Sequence, residues 1–258
     1  MDTNLLSVIV RTTGSNLSLL KKSLLSIENS DYKNIEIILV YQGIDLNKFD
    51  LIKKFNFSLN YTALINEVTY DDRSKNLNIG IINSKGSFLA FLDDDDFVAE
   101  KHYSNLINKL TKEKSSLAYC LCNIVNNKGE ILDDIFKDRY LDKLSFLKDN
   151  FITIHSFVLN KNSIDNSLLH FKEDLRLAED YIFILPIYLK YKTSYVPERT
   201  SYYLIPDDES NSYVKYKKND EFKNQRSIMK TYRRQIKINI MEKAMIYYNR
   251  ITGKTKRI

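Results

Sequence analysis

The strand-length apolar run Phe88-Leu89-Ala90-Phe91-Leu92 passes without a spacer into Asp93-Asp94-Asp95-Asp96, so one short strand must deliver four carboxylates to one place. Two carboxylates ~5 Å apart repel by roughly 3 kcal/mol at an effective dielectric of about 20. The run is therefore either fully solvated or organised around a cation, and its surroundings decide between the two.

Upstream, two kinds of apolar pattern alternate. Leu5 to Val10 and Glu36 to Tyr41 are β-branched, apolar runs of strand length, and between them Leu17, Leu20, Leu24 and Ile27 recur at helical spacing. That is a βαβ unit. In a second unit Leu59 to Leu64 reads as a strand, Lys75 to Ser84 as a helix closed by Gly86, and Phe88 to Leu92 as the next strand. The expected fold class is α/β, a Rossmann-like, mostly parallel sheet flanked by helices. Ligands of such sheets sit beyond the carboxyl ends of the strands, where this pattern places Asp93 to Asp96. The solvated reading loses ground.

The chain has 258 residues and 43% apolar content, enough for one large domain or for one domain with an appendage. The longest apolar run, Tyr181 to Leu189, is too short for a membrane span and contains Pro186. Met1-Asp2-Thr3-Asn4 has neither a basic start nor a secretion-length apolar segment, which gives a cytoplasmic expectation. Cys120 and Cys122 lie on one apolar stretch, Leu117 to Val125, and no second cysteine pair completes a zinc site, so both are expected as buried, reduced thiols.

Several segments in order resemble the inverting family 2 glycosyltransferases with the GT-A nucleotide-sugar-binding fold. Ser7-Val8-Ile9-Val10-Arg11-Thr12 is similar to the first strand and its nucleotide-contacting turn, and Tyr32-Lys33-Asn34 followed by Ile35 to Val40 to the second strand with its lead-in. Asn78-Ile79-Gly80-Ile81 and Ser84-Lys85-Gly86 through Asp96 are similar to the Asn-x-Gly-Ile helix and the metal-binding acidic strand end. Glu179-Asp180 resembles the pair that holds the catalytic base. The likeness covers roughly residues 5 to 205.

The resemblance implies an enzyme, a hexosyl- or N-acetylhexosaminyl-transferase of surface polysaccharide synthesis. It would move a sugar from a nucleotide-sugar donor, with a UDP-sugar expected, to a hydroxyl of a saccharide or lipid-linked acceptor, inverting the anomeric centre. Mn²⁺ or Mg²⁺ on hard oxygen ligands would offset the charge of the departing diphosphate. By position, Asp95 is expected to contact the metal, Asp93 the ribose or a metal-bound water, and Asp94 to support them, while Asp96 reads as the cap of a helix beginning near Ala99. Asp180 is expected to be the general base, kept charged by the start of a helix spanning Tyr181 to Tyr191, with Glu179 facing the acceptor or holding a neighbouring backbone.

The chain also departs from the family pattern. Tyr41-Gln42-Gly43 stands where Asp-Asp-Gly is usual, leaving Gln42 to read the base by its amide and Tyr41 to stack on it. Thr12 is retained in a first turn, Arg11-Thr12-Thr13-Gly14, where Pro-Thr-Tyr-Asn is common. Arg73, before Asn78, either contacts the nucleotide or pairs with Asp71 or Asp72. Tyr202-Tyr203-Leu204-Ile205-Pro206 lacks the Arg or His often found there, so a diphosphate contact is either missing or supplied by the basic tail. Two other classes compete: a non-catalytic nucleotide-sugar-binding protein, and a metal-dependent nucleotidyl or phosphoryl transferase, for which the Gly-rich loop is absent because Gly14 stands alone. A hydrolytic triad of His155, Ser156 and Asp180 is rejected, because His155 and Ser156 are adjacent within an apolar run and no Gly-flanked elbow presents the serine.

The net charge of +6 is unevenly spread, with 14 basic against 3 acidic residues from Lys215 onward. This divides the chain into an expected catalytic domain, 1–213, and a basic tail, 214–258. Ile228, Tyr232, Ile236, Ile240, Ala244, Tyr248 and Ile251 share a helix face, with Lys230, Arg233, Arg234, Lys237 and Lys243 on others. Such a helix either packs on its own domain or on a second copy, or lies on an anionic membrane surface at the inner face of the cell membrane. Nucleic acid is not expected, since no recognition motif accompanies the charge.

Overall fold

The alternating pattern folds as β1 (Leu6–Thr12), α1 (Leu17–Glu28), β2 (Ile35–Gln42), α2 (Leu46–Lys53), β3 (Asn60–Asn66), α3 (Arg73–Asn83) and β4 (Phe88–Asp93). The computed structural model describes residues 4–132, 140–205, 220–236, 238–255 and 257, without the side chains at 220–223, 225, 226 and 240. The second half adds β5 (Phe97–Val98), α4 (His102–Glu113), β6 (Leu117–Tyr119), β7 (Cys122–Val125), α5 (Lys143–Lys148), β8 (Phe157–Asn160), α6 (Glu179–Lys190), β9 (Thr193–Tyr195), β10 (Ser201–Leu204), α7 (Asp220–Gln235) and α8 (Ile240–Ile251). Seven strands form the main sheet in the order β3-β2-β1-β4-β8-β6-β9, and β5-β10-β7 form a small one. β3, β2, β1 and β4 are parallel neighbours, while β8 runs antiparallel to both β4 and β6.

Both faces of the main sheet are covered, which is why its central strands read as unbroken apolar runs. Val8 and Val10 of β1 join Leu20 and Leu24 of α1 and Leu106 and Leu110 of α4 on one side. Ile9, between them, joins Leu77 of α3, Phe91 of β4 and Phe183 of α6 on the other. Phe171 and Phe183 stack at 4.0 Å between centroids, 4° from parallel, with Phe91 edge-on to both. Gly86 lets β4 start beside β1, since a Cβ there would lie 2.5 Å from the Leu5 carbonyl oxygen.

Three expectations change. The short α2 was not expected, as only Phe49 and Ile52 on it are buried. Cys120 and Cys122 are buried and unbridged, but the stretch around them is two strands in different sheets. The tail is two helices, because the Asn239 side chain accepts from the Glu242 N–H and starts α8 afresh. Ile228, Met229, Tyr232 and Ile236 of α7 pack against the main core. On α8, Ile246 joins Ile238 and Leu144, and Arg250 grips Asp142 at 2.6 and 2.7 Å. The 213/214 boundary, Pro206 and Lys237 lie outside the described residues.

Candidate active site

The sheet order reverses between β1 and β4, and there the two strands end with Arg11 and Asp93 in register. A cavity of about 510 Å³ opens at this point, lined by Arg11, Thr12, Asn16, Gln42, Asp71, Arg73, Asn76, Asp93, Asp94 and Asp95 among others. Arg11 donates from Nε and Nη2 to the two oxygens of Asp93, at 2.7 and 3.0 Å, and from Nη1 to Glu179 Oε1 at 2.7 Å. Nη1 of Arg73 lies 3.8 Å from the same Glu179 oxygen, and its Nη2 pairs with Asp71 at 2.6 Å. Arg11 thus ties the acidic strand end to the first turn of α6, and Arg73 ties the segment before α3 to the same turn.

The four aspartates meet four environments. Burial opposes ionisation of Asp93, but Arg11 outweighs it and holds the carboxyl below its usual range. Burial raises the Asp94 carboxyl to about 6, against the pull of a hydrogen bond from Thr12 Oγ1. The Thr12 hydroxyl also accepts from the Gly14 N–H at 2.8 Å, which fixes the turn. Enclosure by protein first, and then the charges of Asp96, Asp93 and Asp94, push Asp95 up to about 8, although it stands at the exposed rim. Asp96 does not cap a helix. α4 begins only at His102, and the Asp96 carboxylate turns inward to accept from the Leu204 N–H at 2.9 Å and to face His155 Nδ1 at 2.9 Å. Burial raises the Asp96 carboxyl, and the Asp96 charge holds the His155 imidazole above its ordinary value despite burial. Ser156 bonds to the Thr153 carbonyl, so no hydrolytic triad forms.

Asp180 lies in the first turn of α6, where its Oδ1 accepts from the Tyr181 N–H at 2.7 Å and Oδ2 from Asn150 at 3.3 Å. The helix terminus does not win here: burial, then the Glu179 charge, raise the Asp180 carboxyl to about 7. Ala178, which leads into this turn, has φ +56°, a left-handed backbone costing about 1–2 kcal/mol in a residue with a Cβ. Glu179 faces Arg11 and Arg73.

Other expected contacts are redirected. Tyr41 is 2% exposed and stacks on Phe49 with ring centroids 5.8 Å apart, so its ring is core and offers no face to a base. The Gln42 Oε1 accepts from the Asp72 N–H and from Asn76 Nδ2, at 3.0 and 2.7 Å, while Nε2 donates to the Tyr70 carbonyl. Both acceptor positions are spent and one N–H remains for a ligand. Asn78 is buried away from the cavity, clamping the chain at Phe171 and Glu173 through three bonds of 2.7 to 2.9 Å. Asp174 accepts from the Tyr232 hydroxyl of α7. Among the described residues no tail cation lines the cavity: Arg233 bonds to the carbonyls of Leu147 and Lys148, and Arg250 to Asp142. The cation that sequence reasoning passed over is Arg11, although its place in the altered first turn marked it.

A divalent cation fits this donor set only as an ion shared with a ligand. Asp95 offers hard oxygens that no other side chain engages among the described residues, while Asp93 is closed by Arg11. Among the described residues no three His, Cys, Asp or Glu side chains are grouped to hold a metal. Phosphate oxygens supply the missing ligands in sites built on one or two carboxylates.

The family model for glycosyl transferase family 2 matches residues 7–168, more than half of the chain. The chain belongs to glycosyl transferase family 2. An uncharacterized glycosyltransferase of Haemophilus influenzae is 25% identical over 197 residues, 75% of this chain and 76% of that protein. A GalNAc(5)-diNAcBac-PP-undecaprenol beta-1,3-glucosyltransferase of Campylobacter jejuni is 30% identical over 62% of this chain and 53% of its own length. Among solved structures, TarS of S. aureus in complex with UDP-GlcNAc superposes with a TM-score of 0.66 at 19% identity, over 80% of this family 2 chain and 60% of TarS. That likeness establishes the shared fold, a mixed α/β sheet of GT-A type. Among the described residues no helix is long and apolar enough to cross a membrane.

Proposed function

We propose that this family 2 glycosyltransferase moves a sugar from a UDP-sugar to a hydroxyl of a saccharide or lipid-linked acceptor, with inversion and with Asp180 as general base. One observation carries the reading: the Asp93–Arg11–Glu179 bridge holds the acidic end of β4 against the turn that presents Asp180. A base near 7 is suited to taking a proton at neutral pH. Thr12, Gln42, Arg73, Asp93 and Asp94 line the donor cavity. Asp95 would hold Mn²⁺ or Mg²⁺ together with the diphosphate. When bound, that ion neutralises charge on the leaving group. The likeness to the Campylobacter undecaprenol-linked glucosyltransferase and to TarS in complex with UDP-GlcNAc favours a lipid-linked acceptor and a uridine nucleotide.

A thermal-shift titration with UDP-sugars and GDP-sugars, each with Mn²⁺, tests the donor assignment. UDP-sugars are expected to raise the melting temperature and GDP-sugars to leave it unchanged, since a ligand stabilises the state that binds it. No shift with any nucleotide sugar would overturn the reading.

The acceptor side has its own support. Met241, Met245, Tyr247, Tyr248 and Ile251 are exposed on α8, with Lys243 and Lys254 exposed beside them. This surface suits an anionic membrane better than a second copy, because its flanking charge is basic. Co-sedimentation with phosphatidylglycerol vesicles at low salt, lost with neutral vesicles, is the expected result. Equal recovery with both lipids would remove the charge-based attachment.

A further inference from the structure

The family's first turn commonly carries proline where this chain has Arg11, and the geometry gives that arginine more than a packing role. Its guanidinium has five N–H donors. Two are spent on Asp93 and one on Glu179, which leaves one on Nη1 and one on Nη2. The side chain keeps 15% of its surface exposed, and Arg11 lines the cavity. Asp71, Asp93 and Asp94 line the same cavity, so a diphosphate entering without any cation would meet net negative charge. Among the described residues Arg11 and Arg73 are the two positive side chains lining this cavity, Arg11 paired with Asp93 and Glu179 and Arg73 with Asp71.

We propose that Arg11 is a built-in cation for the donor: it cancels Asp93, offers its two remaining N–H groups to the diphosphate, and so lets nucleotide bind in part without a divalent ion. The inference rests on reading the cavity as a nucleotide-diphosphate site. It gives Arg11 and a metal overlapping duties. With Arg11 in place Asp93 is engaged, and without it Asp93 would be free to help Asp95 hold a metal. Removing Arg11 therefore weakens nucleotide binding most where no metal is present. A guanidinium fork suits both the carboxylate and the phosphate, and a lysine at this position keeps the charge but loses the two-point grip.

The test is calorimetric titration of UDP into the full chain and into Arg11→Gln, each with Mn²⁺ and with EDTA. The expected result is a ratio of Kd in EDTA to Kd in Mn²⁺ at least about tenfold larger for Arg11→Gln than for the parent. Equal ratios, with UDP bound by both proteins, would overturn the role of Arg11 and leave the donor site standing. A parent that binds no UDP in either buffer would overturn the donor site and this inference together. Should Arg11→Gln fail to fold, Arg11→Lys serves in its place: a raised ratio supports the proposal, and the parent's ratio overturns it.

Discussion

Asp180→Asn is expected to lose transfer while keeping the donor. The carboxylate accepts from the Tyr181 N–H on Oδ1 and from Asn150 on Oδ2; an amide keeps the first bond through its oxygen and gives up the second, longer one at 3.3 Å, so the first turn of α6 should survive the change. What an amide cannot do is accept the proton of an attacking hydroxyl. Loss of a positioned base costs about 10²- to 10⁴-fold in turnover, and UDP affinity should stay within about twofold, since Asp180 is not part of the cavity lining. The pH profile gives a second readout. Below about 7 the Asp180 carboxyl carries a proton and is idle as a base, so parent turnover should rise with pH through about 7 and then level off. The variant's residual turnover should lack that rise. Stability follows the opposite sign. The folded chain holds the Asp180 proton up to about 7 while the unfolded chain releases it near the ordinary aspartate value of 3.8, so this group costs stability increasingly between those values, and the full cost applies above about 7. Asp180→Asn should therefore melt higher than the parent at pH 8, with the difference vanishing toward pH 3. Parent-like turnover in the variant would remove Asp180 from the mechanism.

The second large effect is expected from Asp95→Ala. Asp95 stands at the rim with no other side chain on its carboxylate among the described residues, and Asp93 and Asp94 are engaged by Arg11 and Thr12. Removing it takes away the one uncommitted carboxylate of the run, and Mn²⁺-dependent transfer should fall by at least about 10²-fold. UDP binding in EDTA should persist, because Arg11 and the other residues lining the cavity are unchanged. Titration of Mn²⁺ into the UDP-bound variant separates this outcome from misfolding: the parent should show saturable metal binding and the variant none. An unchanged metal affinity would place the ion elsewhere. Because Asp96 is locked to Leu204 and His155, Asp96→Ala should instead act through folding, by leaving a buried imidazole without its partner.

Periodicity was enough for the frame. β-branched runs and a helical repeat between them gave β1, α1, β2, β3, α3 and β4, and an apolar strand ending in aspartates put those carboxylates at the carboxyl edge of a parallel sheet. Those features are local, since each depends on which way successive side chains point. The chemistry of each aspartate was not local. Asp93 and Arg11 are 82 residues apart and Glu179 is 168 from Arg11, so the bridge among them exists only because the order β3-β2-β1-β4 sets β1 beside β4 and packs the start of α6 above both. The same long-range packing turned Tyr41 and Asn78 from donor contacts into core, sent Asp96 to His155, and let burial lift Asp180 against its helix terminus. Residue order determined where negative charge would gather; only the folded arrangement decided which carboxylate is neutralised, which is buried and which stays open, because solvent exclusion and ion pairing depend on neighbours that lie close in space and far apart along the chain.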